Sequence, residues 1–159
     1  MNKIKKILAP TDLSDLSAVG VRYALEMARE INAEVIVHHV IPVGEDWVPP
    51  RVESGAVRDF MTKETVALDK FLREKFSDCS NLAQVRQKVE FGGAYGNIVE
   101  LAERESVDLI VMSTHGRTGL SHMLLGSVTE NVIARAPCRF EEIAISRLLL
   151  EILHSPRSP

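Results

Sequence analysis

The chain has 159 residues, of which 45% are hydrophobic and 26% are charged, a balance that excludes an intrinsically disordered protein. Its formal charge of −3 leaves no basic surface for nucleic acid. No apolar run approaches the ~20 residues that span a membrane, and the run Ile7–Ala9 is too short for a secretory signal. We therefore expect a cytoplasmic protein with neither a nucleic-acid nor a membrane partner.

The first third of the chain alternates short apolar runs with a segment of helical period. The run IKKILAP predicts a buried strand that ends at Pro10. Ser14 can cap the helix that follows, because its hydroxyl accepts from a free amide in the first turn. Apolar residues at helical spacing mark the face of that helix: Val19, Tyr23, Met27 and Ile31, with Ala24 and Ala28 alongside. The run AEVIVHHVI predicts a second strand, broken at Pro42.

The rest of the chain repeats this alternation. A long helix is predicted from about Ala56 to Phe76, with Phe60, Val66 or Ala67, and Phe71 facing inward. LAQVRQKVEF predicts a third strand, GGAYGN a turn, NIVELAERESV a helix, DLIVMS a fourth strand and SVTENVIARA a last helix. Strands that alternate with helices predict an α/β fold: an open, mostly parallel twisted sheet with helices on both faces, which is a Rossmann-like three-layer sandwich.

Histidine and cysteine residues give no metal or redox motif. His38 and His39 are consecutive in a strand and so face opposite sides of the sheet. A metal needs convergent ligands, and we therefore interpret both as structural or surface histidines. Cys79 lies in a polar segment and is expected to be exposed, whereas Cys138 is expected to be a small buried hydrophobe. Neither has a Cys-x-x-Cys partner.

The segment VMSTHGRTGLSHMLLGSVTEN follows the fourth strand, and open α/β sheets bind ligands at the carboxyl ends of their strands. Gly116 and Gly119 permit positive φ, and a helix that starts at Gly126-Ser127 offers amide N–H groups to an anion. Ser127 and Glu130 also have the spacing of a capping box. The segment lacks the lysine of a P-loop. Residues alone therefore leave two interpretations open, a phosphate loop or an ordinary strand–helix connection.

Three segments together resemble the universal stress protein family: ILAPTDLSD, IVELAERESVDLIVM and VMSTHGRTGLSHMLLGSVTENVIARAPC. The resemblance covers about Lys3 to Cys138. It implies a five-stranded parallel sheet of the adenine nucleotide alpha-hydrolase-like class, a homodimer and a role in stress response. One branch of the family binds ATP through Gly-x2-Gly-x9-Gly-(Ser/Thr). The second and third glycines correspond to Gly116 and Gly126, and Ser127 fills the Ser/Thr position.

The resemblance also implies which residues hold the nucleotide. They are Pro10, Thr11, Asp12, Val40, Met112, Ser113, His115, Gly116, Arg117, Gly126, Ser127, Val128 and Thr129. By this correspondence Asp12 accepts from the ribose hydroxyls, Val40 contacts adenine, and the start of the last helix meets the phosphates. The ligand is ATP, or AMP or ADP, with Mg²⁺ or Mn²⁺ as an accompanying ion.

Two features depart from the family pattern. Ser113 replaces the first glycine; a serine fits if its backbone is extended, and costs about 1–2 kcal/mol if φ is positive. The C-terminal sequence RFEEIAISRLLLEILHSPRSP lacks the usual proline and β-branched fifth strand. We therefore divide the chain into a nucleotide-binding domain, residues 1–139, and an atypical tail, residues 140–159, which is helical or an interface element, although EEIAIS could still form a short strand.

These features predict an adenine-nucleotide-binding regulatory module with a regulatory protein partner of unknown identity. The alternative is an interaction protein of the same family that does not bind nucleotide, and a slow ATP hydrolase is third. Efficient catalysis is not expected, because phosphoryl transfer needs positive charge at the transferring group and the loop carries only Arg117.

Overall fold

The computed structural model describes residues 3–43, 55–79, 84–113 and 126–143. Within these ranges five strands alternate with four helices, and a 3-10 turn (Ser77–Cys79) follows the second helix. The elements are β1 (Lys6–Thr11), α1 (Asp15–Ile31), β2 (Glu34–Pro42), α2 (Gly55–Lys75), β3 (Gln84–Gly92), α3 (Ala94–Arg104), β4 (Leu109–Ser113), α4 (Ser127–Arg135) and β5 (Arg139–Ile143).

The strands form one sheet in the order β3-β2-β1-β4-β5, and all four neighbouring pairs are parallel. The predicted α/β fold class is thereby confirmed. The chain starts in the centre, adds β2 and β3 on one side, and then crosses over to add β4 and β5 on the other. The order reverses between β1 and β4, and such a reversal is where open sheets bind ligands.

Both faces of the sheet are covered by helices. Ile7 and Ala9 pack with α1 and α2 in one core cluster, whereas Leu8 packs with α3 and α4 in the other, because successive strand side chains point to opposite faces. Burial on both faces explains why the central strands are continuous apolar runs.

Helix α1 packs on the sheet through its small residues. Ser14 is its N-cap, as predicted, and accepts from Ser17 N at 3.1 Å. The buried face is centred on Ser17, Gly20, Val21, Ala24, Leu25 and Ala28. The burial predicted for Ala24 and Ala28 is confirmed. The rest of the predicted apolar face flanks the buried one and is partly buried, at Val19, Tyr23, Met27 and Ile31. A Cβ added to Gly20 would lie 2.8 Å from the backbone N of Ser113, so α1 is seated directly on the end of β4.

Helix α2 is buried only in its C-terminal half, at Leu68 and Phe71. Phe71 was predicted to face inward, and this is confirmed. The same prediction is wrong for Phe60, which is 43% exposed. Of the alternatives Val66 and Ala67, Val66 is 62% exposed and Ala67 is half-buried. Helix α2 connects to β3 at the sheet edge, where little sheet surface is left to cover. Phe60 instead stacks on Phe91 of β3, with ring centroids 6.0 Å apart.

The predicted turn GGAYGN is wrong from Ala94 onward, because α3 begins there with Gly93 as its N-cap. The chain turns at Gly92, whose φ is 145°. The side chain of Asn97 packs against this glycine and donates to the carbonyl oxygen of Phe91 at 2.9 Å. The hydrogen bond from Asn97 thus ties the first turn of α3 to the end of β3, and the connection between them is shorter than predicted.

Strand β5 pairs with β4 from Leu109–Arg139 to Ser113–Ile143. Residues 140–143, which were predicted to belong to the tail, therefore complete a fifth strand, and the buried side chain of Ile143 anchors it. Residues 144–159 lie outside the described part of the chain. No helix within the described ranges is long and apolar enough to cross a membrane.

The two cysteines are free thiols. Cys79 is buried beside the guanidinium group of Arg22, so its predicted exposure is wrong, and burial raises the pKa of its thiol. Cys138 is half-buried and packs against the second core cluster. Desolvation raises the pKa of the Cys138 thiol as well, which leaves neither cysteine activated for redox chemistry.

Candidate functional site

The carboxyl ends of β1 and β4 separate beyond their last paired residues. In the described chain these strands pair at Ile7–Leu109 and Leu8–Ile110, yet β1 continues to Thr11 and β4 to Ser113. Pairing between β1 and β2, by contrast, extends to Thr11–His39. We call the ends of β1 and β4 beyond their last shared pair, at the point where the strand order reverses, the opening. The predicted residues Pro10, Thr11 and Met112 belong to these strand ends.

The loop after β1 is held in a tight conformation by its own hydroxyl groups. Thr11 Oγ1 accepts from the backbone N of Leu13 at 3.0 Å and lies 2.7 Å from Ser17 Oγ. Leu13 has a φ of 64°, a left-handed conformation that costs about 1–2 kcal/mol in a residue with a side chain. The surrounding contacts therefore maintain a strained turn next to Asp12.

The carboxylate of Asp12 takes part in this turn. Its Oδ1 accepts from the backbone N of Ser14 at 3.0 Å and from the Ser14 hydroxyl, while Ser14 Oγ accepts from the first turn of α1. Asp12 is half-buried. Asp12 thus fixes the entry to α1 in addition to the ribose-binding role that the family resemblance implies.

Ser113 has an extended backbone. It is the last residue of β4 and is absent from the non-glycine residues of positive φ, which within the described ranges are Leu13, Asn32 and Ser106. Serine is therefore unstrained where the family motif has its first glycine. Ser113 is 9% exposed and has Gly20 of α1 directly behind its backbone, so its position is set by helix packing.

Helix α4 begins at a glycine. Its N-cap is Gly126, with φ −60° and ψ 144°, and this residue has no side chain that could accept a hydrogen bond from the first turn. The predicted capping box of Ser127 and Glu130 is therefore wrong, since Ser127 is already the first helical residue. The first helical backbone bond is Glu130 N to Gly126 O at 3.0 Å. The amide N–H groups of Ser127, Val128 and Thr129 precede this bond, which makes them donors suited to an anion.

Val40, Met112 and Val128, all predicted site residues, lie on one face of the sheet. Val40 and Val128 pack against the core cluster that contains Met112, and this cluster lies on the side of α3 and α4. Thr129 is buried and Val40 is half-buried. The structure thus brings residues of β2, β4 and α4 together. His115, Gly116 and Arg117 lie outside the described residues.

The histidine pair is placed on opposite faces as predicted, but both rings are buried and neither is at the surface. His38 Nε2 lies 3.0 Å from Glu90 Oε2, and its Nδ1 has no hydrogen-bond partner among the described residues. Burial lowers the pKa of His38 to about 4, although the charge of Glu90 acts in the opposite direction. The ring is therefore neutral at physiological pH.

His39 was not predicted to belong to the site, yet it contacts its border. Its Nδ1 lies 3.0 Å from the carbonyl oxygen of Thr11, and its Nε2 lies 3.3 Å from Glu64 Oε2 on α2. One feature of the sequence indicates this role: His39 lies near the end of the predicted second strand, and consecutive strands of such a fold are often neighbours. Within the described ranges no three or more His, Cys, Asp or Glu side chains converge as a metal site would require.

The profile of the universal stress protein family matches residues 3–140. Universal stress protein MJ0531 of Methanocaldococcus jannaschii is 34% identical over 138 residues, which cover 86% of this chain and 80% of that protein. The solved structure of MJ0577 is 31% identical with a TM-score of 0.66, covering 90% of this chain and 97% of that one. A universal stress protein solved in complex with cAMP is 23% identical with a TM-score of 0.68, covering 89% and 98%.

Proposed function

The chain belongs to the universal stress protein family, and on that premise we propose that it binds an adenine nucleotide, ATP first among them, as a regulatory module of the stress response. The observation that carries the proposal is the start of α4 at Gly126, together with the packing of Val128 against the core cluster that contains Met112 of β4. The first amides of a helix whose N-cap is glycine suit a phosphate group, since the N-cap offers them no side-chain acceptor and they lie at the positive end of the helix dipole.

The residues of the opening fit such a ligand in chemistry as well as in place. Phosphates would meet the amides of Ser127, Val128 and Thr129. Asp12 would accept from the ribose hydroxyls, the role that an acidic residue has in other nucleotide-binding α/β folds. Val40 and Met112 offer apolar contact for adenine. A structurally similar family member was solved in complex with cAMP, which supports an adenine nucleotide as the ligand class.

The extended backbone at Ser113 supports nucleotide binding despite the missing glycine. A β-region serine adds a Cβ without backbone strain, so the departure from the motif does not argue against the ligand. His115, Gly116 and Arg117 would complete the phosphate side, with Mg²⁺ or Mn²⁺ supplying further positive charge. We infer binding without efficient turnover, because phosphoryl transfer depends on several positioned cations and Arg117 is the single lysine or arginine of the loop sequence.

Substituting Ser127 by proline tests the proposed phosphate contact. Proline is tolerated as the first helical residue, and the ψ of 144° at Gly126 suits the residue before a proline. The variant therefore keeps α4 but loses one amide donor. A hydrogen bond to a charged group contributes ~1.5–3 kcal/mol, so we expect ATP affinity to fall about tenfold to a hundredfold, measured by titration calorimetry with Mg²⁺.

Ser127→Ala is the matched control, since it removes the hydroxyl and keeps the amide. We expect its affinity to lie between those of the wild type and the proline variant. If wild-type protein stripped of co-purified nucleotide binds no ATP, ADP or AMP, the proposal is wrong and the protein acts through interactions alone. Steady ATP turnover that Ser127→Pro abolishes would instead support the hydrolase alternative.

We also propose a cytoplasmic homodimer formed through β5 and the residues that follow it. Among the described strands β5 is at the edge of the sheet, next to β4, and edge strands readily pair with another chain. The following residues include the apolar run Leu148–Leu150. A chain shortened to end at Ile143 keeps β5 and loses the apolar run, so we expect it to dimerise more weakly than the full chain in concentration-dependent light scattering. A shortened chain that dimerises as tightly as the full chain, with unchanged stability, would overturn this proposal.

A further inference from the structure

Thr11 is held through its side chain and also through its backbone carbonyl group. The hydroxyl contacts Ser17 and the backbone of Leu13, while the carbonyl oxygen lies 3.0 Å from Nδ1 of His39. Thr11 and His39 are 6% and 4% exposed, so water does not compete for these contacts and each is strengthened by its surroundings.

The contact with Thr11 fixes where His39 carries a proton. A carbonyl oxygen only accepts hydrogen bonds, so Nδ1 must be the N–H that donates to it. Nε2 then faces the carboxylate of Glu64, with 3.3 Å between Nε2 and Oε2, and a proton on that nitrogen or on the carboxyl group completes the second contact. Glu64 thereby holds the ring in the orientation that directs Nδ1 at Thr11.

We propose that His39 is a positioning residue of the nucleotide site. By holding the Thr11 carbonyl it fixes the end of β1, and the strained turn through Asp12 and Leu13 starts from that point. Asp12 then presents its carboxylate to the opening without reorganisation, which favours binding. The inference rests on the proposed nucleotide-binding function and extends it to two residues outside the family motif, His39 and Glu64.

Glu64 is the ionisable side chain that contacts the His39 ring among the described residues. Among the described residues, β1 offers the uncharged Thr11, and β3 places the apolar Val89 at the paired position. Glu90 lies on the other face of the sheet, where it contacts His38. Glu64 on α2 contacts the His39 ring from the other side, through Oε2 and Nε2. The proposed network therefore links α2 to the end of β1.

Two variants of His39 separate its hydrogen bond from its packing. Asparagine keeps an N–H in the place of Nδ1, whereas leucine has a similar shape and no donor. We expect His39→Leu to weaken ATP binding about tenfold, the effect of losing one buried hydrogen bond, and His39→Asn to stay within about threefold of the wild type. Calorimetric titrations give both affinities, and thermal unfolding shows whether the two variants are equally folded.

Equal affinities for the leucine and asparagine variants would overturn the proposal. Histidine ¹⁵N spectra of the wild-type protein without nucleotide give a second readout, which does not depend on the variants folding: Nδ1 of His39 is expected to be protonated, and an unprotonated Nδ1 contradicts the inference. Amide exchange at Leu13 and Ser14 should be faster in His39→Leu than in His39→Asn. If the wild type binds no nucleotide while these spectral and exchange results hold, the proposed function fails and the positioning of Thr11 stands.

Discussion

Replacing Gly20 with alanine is expected to lower the free energy of unfolding by about 1–2 kcal/mol. The added Cβ would lie 2.8 Å from the backbone N of Ser113 and 3.2 Å from the carbonyl carbon of Met112, which are backbone atoms and cannot rotate away. Overpacking of this kind costs ~1–3 kcal/mol, and the higher helix propensity of alanine offsets up to ~1 kcal/mol of it. Urea unfolding measures the net change.

The same substitution is also expected to weaken ATP binding, because relief of the contact moves the end of β4 relative to α1. Gly96→Ala is the matched control. Gly96 lies in α3, and a Cβ there meets nothing within 4 Å, so we expect this variant to be more stable by roughly 0.5–1 kcal/mol. If both alanine variants are stabilised, α1 does not approach β4 as closely as described, and Ser113 is not positioned by it.

The regular elements were predictable because each has a local signal. Buried strands such as LIVM are apolar on both faces, and Ser14 marks the start of α1 by a cap that depends on its nearest neighbours. The strand β5 was harder to predict, since RFEEI shows no alternation. Its pairing with β4 and the burial of Ile143 come from the rest of the sheet, which a local pattern does not contain.

Packing faces were less predictable than the elements themselves. Hydrophobicity predicted a face of α1 along Val19 and Tyr23 with Ala24 alongside. The helix packs through Ala24 and Gly20, because small residues permit the closest approach. Likewise, the exposure of Val66 follows from the position of α2 over the sheet edge. Such faces depend on the shape of the partner surface, and a single helix sequence does not describe that surface.

For the candidate site, the resemblance supplied the residues and the structure supplied their conformations. The structure shows that the backbone of Ser113 is extended and that Ser127 is a helical residue, not the N-cap of α4. His39 could not be found from its own segment, because its partners are 28 residues before it and 25 residues after it. Sheet register brings Thr11 beside it, and register is a property of two strands together.

Acidification is expected to cost the folded protein about 3 kcal/mol through His38 alone. Burial lowers the pKa of His38 from 6.5 to about 4, so between these values the unfolded chain binds a proton that the folded chain does not. Stability is therefore greatest above pH 6.5 and falls as the pH decreases towards 4, after which this contribution stays constant. Each unit of pKa difference corresponds to about 1.4 kcal/mol. Urea unfolding from pH 7 to pH 4 measures the loss.

Other groups titrate at low pH, among them Glu105, whose pKa the Arg86 guanidinium lowers to about 2. The prediction therefore concerns the difference between the wild type and His38→Gln. Glutamine keeps an amide N–H that can reach Glu90 and has no proton to gain, so its stability should fall less steeply across this range, by about 3 kcal/mol in total. Parallel curves for the two proteins would show that the folded state protonates His38 as readily as the unfolded chain. In that case Glu90, 3.0 Å from Nε2, raises the pKa of His38 as much as burial lowers it.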